Sequence, residues 1–160
     1  MEKKKVLFVC LGNICRSPSA EAVFNRMIKR EGLADLFEVD SAGTSGWHAG
    51  ELADRRMQSH AIKRGYNLTS LSRKFEPYHD FDHFDMIIGM DDSNIGNLKR
   101  MARNANDLKK IYKMTDFSRR FDYNEVPDPY YGGSEGFELV LDILEDACEG
   151  MLHKIKSNEI

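Results

Sequence analysis

Residues 5–17, KVLFVCLGNICRS, decide the fold of this chain. The first six, KVLFVC, are mostly apolar at successive positions, as expected for a β-strand that is covered on both faces. Ser17 and Pro18 then supply a cap-like hydroxyl and a proline suited to the first position of a helix. Apolar residues follow at helical spacing and stop before Gly32: Ala20, Val23, Phe24, Met27 and Ile28. The segment therefore predicts a buried strand, a short loop and an amphipathic helix.

The same alternation of short apolar runs and longer helical patterns continues along the chain. Further strands are predicted at residues 37–41, 85–90 and 111–114. Further helices are predicted over residues 53–62, 95–101 and 137–155; Gly65 closes the first of these and Asp91 precedes the second. Residues 115–133 lack periodicity and form a loop long enough to suggest a function. We therefore expect residues 1–160 to form one α/β domain. Its central four-stranded parallel sheet would carry helices on both faces and ligands at the carboxyl ends of its strands.

Composition excludes several classes of protein. The 160 residues contain 23 Lys and Arg against 26 Asp and Glu, a net charge of −3, which argues against a nucleic-acid or anionic-membrane binder. The hydrophobic fraction of 41% excludes a disordered chain, and no apolar run approaches the roughly 18 residues of a membrane span. Lysines at positions 3–5 precede an apolar run, but Asn13 and Arg16 interrupt that run before any cleavage site of a signal peptide.

The cysteines are too few and too unevenly spaced for a secreted disulfide scaffold. They stand at Cys10, Cys15 and Cys148. This usage indicates a reducing environment, and we expect a cytoplasmic protein. Cys148 has apolar neighbours at helical spacing and is expected in the core.

The loop between the first strand and the first helix has the composition of an anion site. A helix N-terminus offers unpaired N–H groups and the positive end of the helix dipole, and Gly12 allows tight backbone curvature. Arg16 can hold two phosphate oxygens through its planar guanidinium. The same groups would favour the thiolate of Cys10, and Ser17 can donate its hydroxyl to that sulfur. The loop is therefore expected to bind a phosphate-sized anion against a nucleophilic sulfur.

This loop has two simpler interpretations. Cys10 could be a buried strand residue and Arg16 a solvated helix cap, but a strand before the motif and a helix after it favour the anion site. Zinc binding by Cys10 and Cys15 would need a second pair of ligands, and the five histidines form no such motif. We therefore expect neither a metal nor an organic cofactor.

The sequence resembles the low-molecular-weight protein tyrosine phosphatases. The resemblance rests on residues 9–22, VCLGNICRSPSAEA, and on Asp128 with the residues that follow it, PYY. Residues 40–46, DSAGTSG, and residues 85–94, DMIIGMDDSN, are similar to the family's second strand and loop and to its third strand and helix. The resemblance covers almost the whole chain. It implies a Rossmann-like, three-layer fold of the phosphotyrosine protein phosphatase I type.

The resemblance assigns roles to the catalytic residues. Cys10 would attack phosphorus in line, Arg16 would hold the equatorial oxygens, and Asp128 would protonate the leaving phenolate and then activate water. Asp128 lies between two prolines, which restrict the backbone that aims its carboxyl group. The phosphate would be bound by the whole loop, namely Leu11, Gly12, Asn13, Ile14, Cys15, Arg16 and Ser17.

The resemblance also implies residues that support and surround the site. Asn13 would shape the loop from a left-handed conformation, with Ser41 as a supporting hydroxyl, whereas Ser70 stands where many members have a histidine. Cys15 would form a reversible disulfide with Cys10 that protects the nucleophile from overoxidation. The walls of a deep, phosphotyrosine-selective cleft would be Trp47, Tyr130 and Tyr131.

Other functions remain open at this stage. Arsenate reductases with this loop need further cysteines, and residues 76–106 contain none. Arginine phosphatases of the family tend to carry Thr at the position of Ile14, which is apolar and favours a phenyl ring. A module that only binds phosphotyrosine would not need Cys10 or Asp128. We expect a phosphotyrosine-containing protein as partner, with a tyrosine kinase as one candidate, and a monomer with weak self-association.

Overall fold

The computed structural model describes residues 2–160 and has a four-stranded parallel sheet at its centre. The strands are β1 (Lys4–Cys10), β2 (Phe37–Gly43), β3 (Met86–Gly89) and β4 (Ile111–Lys113), in the order β2-β1-β3-β4. Cys10 pairs with Gly43 across β1 and β2, and Val9 pairs with Gly89 across β1 and β3. The predicted parallel sheet is confirmed, and its carboxyl ends meet at one edge.

Helices cover both faces of the sheet, as expected. They are α1 (Arg16–Arg30), α2 (Arg55–Lys63), α3 (Pro77–His83), α4 (Asp92–Met101), α5 (Ala105–Lys109) and α6 (Ser134–Lys156). Alternate residues of β1 enter two cores: Val6 and Phe8 pack in the cluster that includes α1 and α6, while Leu7 and Val9 pack in the cluster with Phe81 and Leu98. Cys148 is fully buried in the larger core, which confirms its prediction.

The structure corrects the predicted start of the first helix. Helix α1 begins at Arg16 with Cys15 as its N-cap, so Ser17 and Pro18 are its second and third residues rather than its cap and first residue. Proline is tolerated there because the first turn of a helix has no acceptors for its N–H groups. The hydroxyl of Ser17 is consequently free to contact the Cys10 sulfur.

Other elements differ from the sequence analysis for local reasons. Helix α2 is capped by Asp54, which accepts hydrogen bonds from the N–H groups of Arg56 and Met57, and Ile62 is exposed rather than part of the apolar face. Helices α3 and α5 were not predicted, because they are too short to show helical periodicity. Among residues 2–160, no helix combines the length and apolar character needed to cross a bilayer.

Candidate active site

The loop of residues 11–15 connects β1 to α1 and directs backbone N–H groups towards its interior. Four carbonyl groups, that of Cys10 and three of the loop, point outward, where each accepts a hydrogen bond. The donors are Thr44 N to the Cys10 carbonyl (2.9 Å), Ser45 N to that of Leu11 (2.9 Å), Ser72 Oγ to that of Gly12 (3.0 Å) and Asp54 N to that of Ile14 (2.8 Å). Because the C=O and N–H of one trans peptide point in opposite directions, the following N–H groups face inward. Within the described chain no side chain caps α1, so its first N–H groups add to an anion site.

The Cys10 thiol lies at the base of this loop and is almost fully buried. Its Sγ is 3.0 Å from Ser17 Oγ, which also accepts a hydrogen bond from Asn13 Nδ2 at 2.8 Å. The backbone of Asn13 is left-handed, with φ of 57°, as expected from the sequence. The φ of Gly12 lies outside the left-handed region, and an added Cβ would lie 3.1 Å from Cδ2 of His48, a tight contact.

Two hydrogen bonds from one terminal nitrogen hold the Arg16 guanidinium group in place. Nη1 donates to Asp91 Oδ2 at 2.6 Å and to the Val126 carbonyl at 3.0 Å, while Nη2 lies 3.6 Å from Asp128 Oδ2. Burial opposes the charge of Arg16, but the Cys10 sulfur and the Asp91 carboxylate outweigh it and raise the pKa of Arg16. The side chain is thus a permanently charged, preorganised donor beside the thiol.

Asp128 reaches the same place from the long segment before α6. Val126 is fully buried, and its N–H donates to the Met90 carbonyl at 2.9 Å, which fixes the segment at the end of β3. Asp128 Oδ1 accepts a hydrogen bond from Tyr130 N at 3.0 Å, and its side chain is 37% exposed. A carboxyl group in this position can exchange protons with solvent and with a group held above Cys10.

A cavity of about 290 Å³ opens above the thiol. Its lining contains most of the residues that the sequence singled out: Cys10, Leu11, Gly12, Ile14, Cys15, Arg16, Trp47, Asp128, Tyr130 and Tyr131, together with His48. Trp47 and Tyr131 are 81% and 91% exposed at its mouth. Tyr130 is half-buried, and the Arg56 guanidinium lies 5.3 Å from its ring centre. The cavity therefore joins a polar, anion-binding base to aromatic walls.

Among the described residues, the Ser41 hydroxyl makes no hydrogen bond to the loop. This hydroxyl donates instead to Glu21 Oε1 at 2.6 Å, and the Ser70 hydroxyl lies near the same carboxyl group. Burial raises the pKa of Glu21, although both hydroxyls favour its charged form. Side chains alternate along β2, so the side chain of Ser41 faces α1, while the next residue, Ala42, presents its carbonyl to Ser17 Oγ at 3.4 Å. The expected support by Ser41 is thus replaced by backbone contact.

Cys15 is a second buried thiol at the cavity wall, and the structure holds both loop cysteines as free thiols. Burial, the Asp54 carboxylate and the Cys10 sulfur all raise the pKa of Cys15 well above its ordinary value. A thiol whose pKa is raised in this way stays protonated at neutral pH, so Cys15 is poorly suited to act as a nucleophile.

Three residues of the site were missed by the sequence analysis as site residues. Asp91 was expected only to begin a helix, and it does cap α4 through Oδ1 while its other oxygen holds Arg16. His48 lies at the cavity wall with its Nδ1 3.0 Å from Glu51 Oε2. Arg56 donates to the Tyr130 carbonyl at 3.0 Å. The local sequence around each of the three gives no sign of a role in the site, because each reaches the site from a separate segment.

Comparisons with known proteins agree on one family. The profile of the family described as low molecular weight phosphotyrosine protein phosphatase matches residues 5–159. A low molecular weight protein-tyrosine-phosphatase of Streptomyces coelicolor is 40% identical over 154 residues, covering 95% of this chain and 93% of its own.

Solved structures give the same result. A protein tyrosine phosphatase of Entamoeba histolytica with Hepes in its active site is 46% identical, with a TM-score of 0.96 over 99% of this chain and 100% of its own. An arginine phosphatase of Drosophila is 34% identical, with a TM-score of 0.88 over 95% of this chain and 98% of its own. The fold therefore accommodates more than one phosphorylated substrate.

Proposed function

The chain belongs to the low molecular weight phosphotyrosine protein phosphatase family and is a protein-tyrosine-phosphatase, and on this premise we propose that it works through a phosphocysteine intermediate on Cys10. One observation carries the proposal: Cys10, Arg16 and Asp128 line a single cavity at the N-terminus of α1. A nucleophile, an anion-binding cation and a proton donor are the three groups that hydrolysis of an aryl phosphate requires.

The first step transfers the phosphoryl group to sulfur. The loop N–H groups and Arg16 bind the phosphate oxygens, and their charge stabilises the transition state. The Cys10 thiolate attacks phosphorus, so that an S–P bond forms as the bond between phosphorus and the phenolic oxygen breaks. Asp128 donates its proton to the leaving oxygen, and tyrosine departs as a neutral phenol.

The second step returns the enzyme to its starting state. Asp128, now a carboxylate, accepts a proton from a water molecule that attacks the phosphorus of phosphocysteine. The S–P bond breaks, inorganic phosphate forms and the Cys10 thiolate departs. Ser17 Oγ, 3.0 Å from the sulfur, can donate a hydrogen bond to this thiolate and so make it a better leaving group.

The cavity walls favour an aromatic substrate. Trp47, Tyr130 and Tyr131 present ring faces that can pack against a phenyl ring, and Ile14 adds an apolar side chain at the wall. A phosphoserine side chain is shorter and would leave its phosphate above the loop of residues 11–15. The alternative is an arginine phosphatase, which the Drosophila neighbour makes a relevant competitor; Ile14 argues against it, because it offers no polar group to a guanidinium.

We also propose that oxidation of the site is reversible. Hydrogen peroxide would convert the Cys10 thiolate to a sulfenic acid, and the Cys15 thiol would displace water from it to form a disulfide. Both thiols lie in the same cavity wall, and the Cys10 sulfur is near enough to raise the pKa of Cys15. A nucleophile of this kind needs a reducing environment, which supports a cytoplasmic location. The proposed partner is a phosphotyrosine-containing protein, with a tyrosine kinase as one candidate, and the proposed enzyme is a monomer with weak self-association.

The test is phosphate release from peptides of one sequence that carry phosphotyrosine, phosphoserine or phosphoarginine, measured in reducing buffer. We expect turnover of the phosphotyrosine peptide alone, and a loss of at least about 10⁴-fold in kcat/KM in Cys10→Ser. Preference for phosphoarginine would overturn the assignment of substrate but not of mechanism. Unchanged turnover in Cys10→Ser would overturn the mechanism.

A further inference from the structure

Residues 72–75 run beside the phosphate-binding loop and form a segment that we call the strap. It is attached to the end of β2, where Gly43 N donates to the Arg73 carbonyl at 2.8 Å and Phe75 N donates to the Gly43 carbonyl at 2.7 Å. A Cβ on Gly43 would lie 2.8 Å from the Leu11 carbonyl oxygen. The strap, the end of β2 and the loop therefore meet without spare space, so that displacement of one displaces the others.

The strap donates two hydrogen bonds into the loop. Ser72 Oγ donates to the Gly12 carbonyl at 3.0 Å, and the Arg73 N–H donates to Asn13 Oδ1 at 3.0 Å. The second bond holds the side chain of the one loop residue with a left-handed backbone, a conformation that is costly for any residue other than glycine. The other end of the same side chain contacts Ser17 Oγ, which lies 3.0 Å from the Cys10 sulfur. One side chain, Asn13, thus connects the strap to the nucleophile's hydrogen-bond partner.

The Arg73 guanidinium fixes the strap to two other elements. Nη1 and Nη2 each lie 3.1 Å from an oxygen of Asp80, which is fully buried and also accepts the Glu76 N–H at 2.7 Å at the start of α3. Nε donates to Asp40 Oδ2 of β2 at 3.1 Å. A planar guanidinium held by two carboxylates has little freedom, so it determines the position of its own backbone N–H.

We propose that Arg73 is a positioning residue for the phosphate-binding loop. Through Asp80 and Asp40 it holds the strap where Ser72 and its own N–H keep Gly12 and Asn13 in the anion-binding conformation before substrate arrives. Preorganised donors bind charge more strongly than donors that must first be ordered. The inference rests on the proposed function, since it assumes that the loop binds the phosphoryl group.

Arg103 provides a matched control for Arg73. It also pairs with one buried carboxylate, Asp107, and one exposed carboxylate, Asp82, but it lies between α4 and α5 and makes no bond to the loop in the described structure. Arg73→Met and Arg103→Met each remove a guanidinium from such a pair. Both variants are expected to lose stability to urea, because each leaves a buried aspartate without its main partner.

The deciding readout is the affinity for inorganic phosphate, measured by calorimetry and therefore independent of turnover. We expect the Kd to rise about tenfold in Arg73→Met, to rise less in Arg73→Lys, and to stay within about twofold of wild type in Arg103→Met. A phosphate Kd within twofold of wild type in Arg73→Met would overturn the inference.

A second variant keeps the test decisive if Arg73→Met does not fold. Ser72→Ala removes only the bond to the Gly12 carbonyl and should raise the phosphate Kd about threefold, since a single neutral hydrogen bond is lost. An unchanged Kd in Ser72→Ala would show that the strap does not hold the loop. Absence of phosphotyrosine turnover in a wild-type protein that binds phosphate would contradict the proposed function and leave the positioning role intact.

Discussion

The base and the walls of the active site are built in opposite ways. Cys10 and Arg16 are nearly inaccessible at the base, and hydrogen bonds from three separate segments hold the loop between them. Trp47 and Tyr131, at the mouth, expose four-fifths or more of their surface. Groups that stabilise a transition state must be fixed before the reaction, whereas a surface that only selects a substrate can remain open. Base variants should therefore change kcat, and wall variants should change KM.

Asp128 is the strongest test of this division, because it belongs to the exposed segment but is proposed to donate the proton in the reaction. In Asp128→Asn the rate of Cys10 phosphorylation should fall by about 10²–10⁴-fold for phenyl phosphate, whose leaving group needs a proton. The loss should be much smaller for 4-nitrophenyl phosphate. Single-turnover measurements on both substrates would show the difference.

The control for Asp128 is Asp122→Asn, an exposed carboxylate on the same segment, which should leave both rates unchanged. Equal losses for the two aryl phosphates in Asp128→Asn would remove its role as the acid.

Trp47 tests the wall itself. Trp47→Ala should raise KM for a phosphotyrosine peptide about threefold to tenfold, because a ring contact contributes roughly 0.5–1.5 kcal/mol. Its kcat and melting temperature should not change, since the side chain is 81% exposed. Steady-state kinetics and thermal unfolding would check both statements.

Tyr78→Ala is the matched variant for Trp47, because Tyr78 is 83% exposed on α3 and does not line the cavity. It should leave KM unchanged. A fall in kcat in Trp47→Ala, with KM unaffected, would contradict the assignment of this residue to selection.

The smallest effect on activity is expected where the Asp128 segment is anchored far from the site. Asp146 in α6 is fully buried and accepts the N–H groups of Arg119, Arg120 and Phe121 at 3.0–3.1 Å. Burial alone would raise its pKa, but these three donors outweigh burial and lower the pKa of Asp146 below its ordinary 3.8. Asp146→Asn should lower the free energy of unfolding by roughly 1–3 kcal/mol at pH 7, because the amide leaves one acceptor oxygen for three N–H groups. The kcat should change little.

The pH dependence of this loss has a definite sign. A carboxyl group whose folded-state pKa is lowered contributes its full stability above pH 3.8 and loses it as the pH falls through the folded-state value. Urea unfolding should therefore show a difference between wild type and Asp146→Asn that shrinks below about pH 4. Asp142→Asn, on the exposed side of α6 beside Arg64, should cost less than about 1 kcal/mol. A pH-independent difference would mean that Asp146 acts through packing alone.

Local patterns predicted the elements that carry the site, and they failed where elements are short or partners are distant. The four strands and the long helices follow from apolar periodicity, but α3 and α5 span seven and five residues and offer too little of it. Ser17 has the residue type of a helix cap. Its hydroxyl instead lies beside the Cys10 sulfur, because the helix starts at Arg16.

The sequence by itself determined the chemistry: a strand, a Cys-x5-Arg loop and a helix place a thiol, N–H groups and a guanidinium together, because residues this close in the chain cannot be far apart in space. Only the tertiary structure decided what fixes them. Asp91 caps α4 and Arg73 lies in the strap, 75 and 57 residues after Arg16 in the numbering. Contacts across such separations leave no local pattern, since they depend on how strands and helices pack.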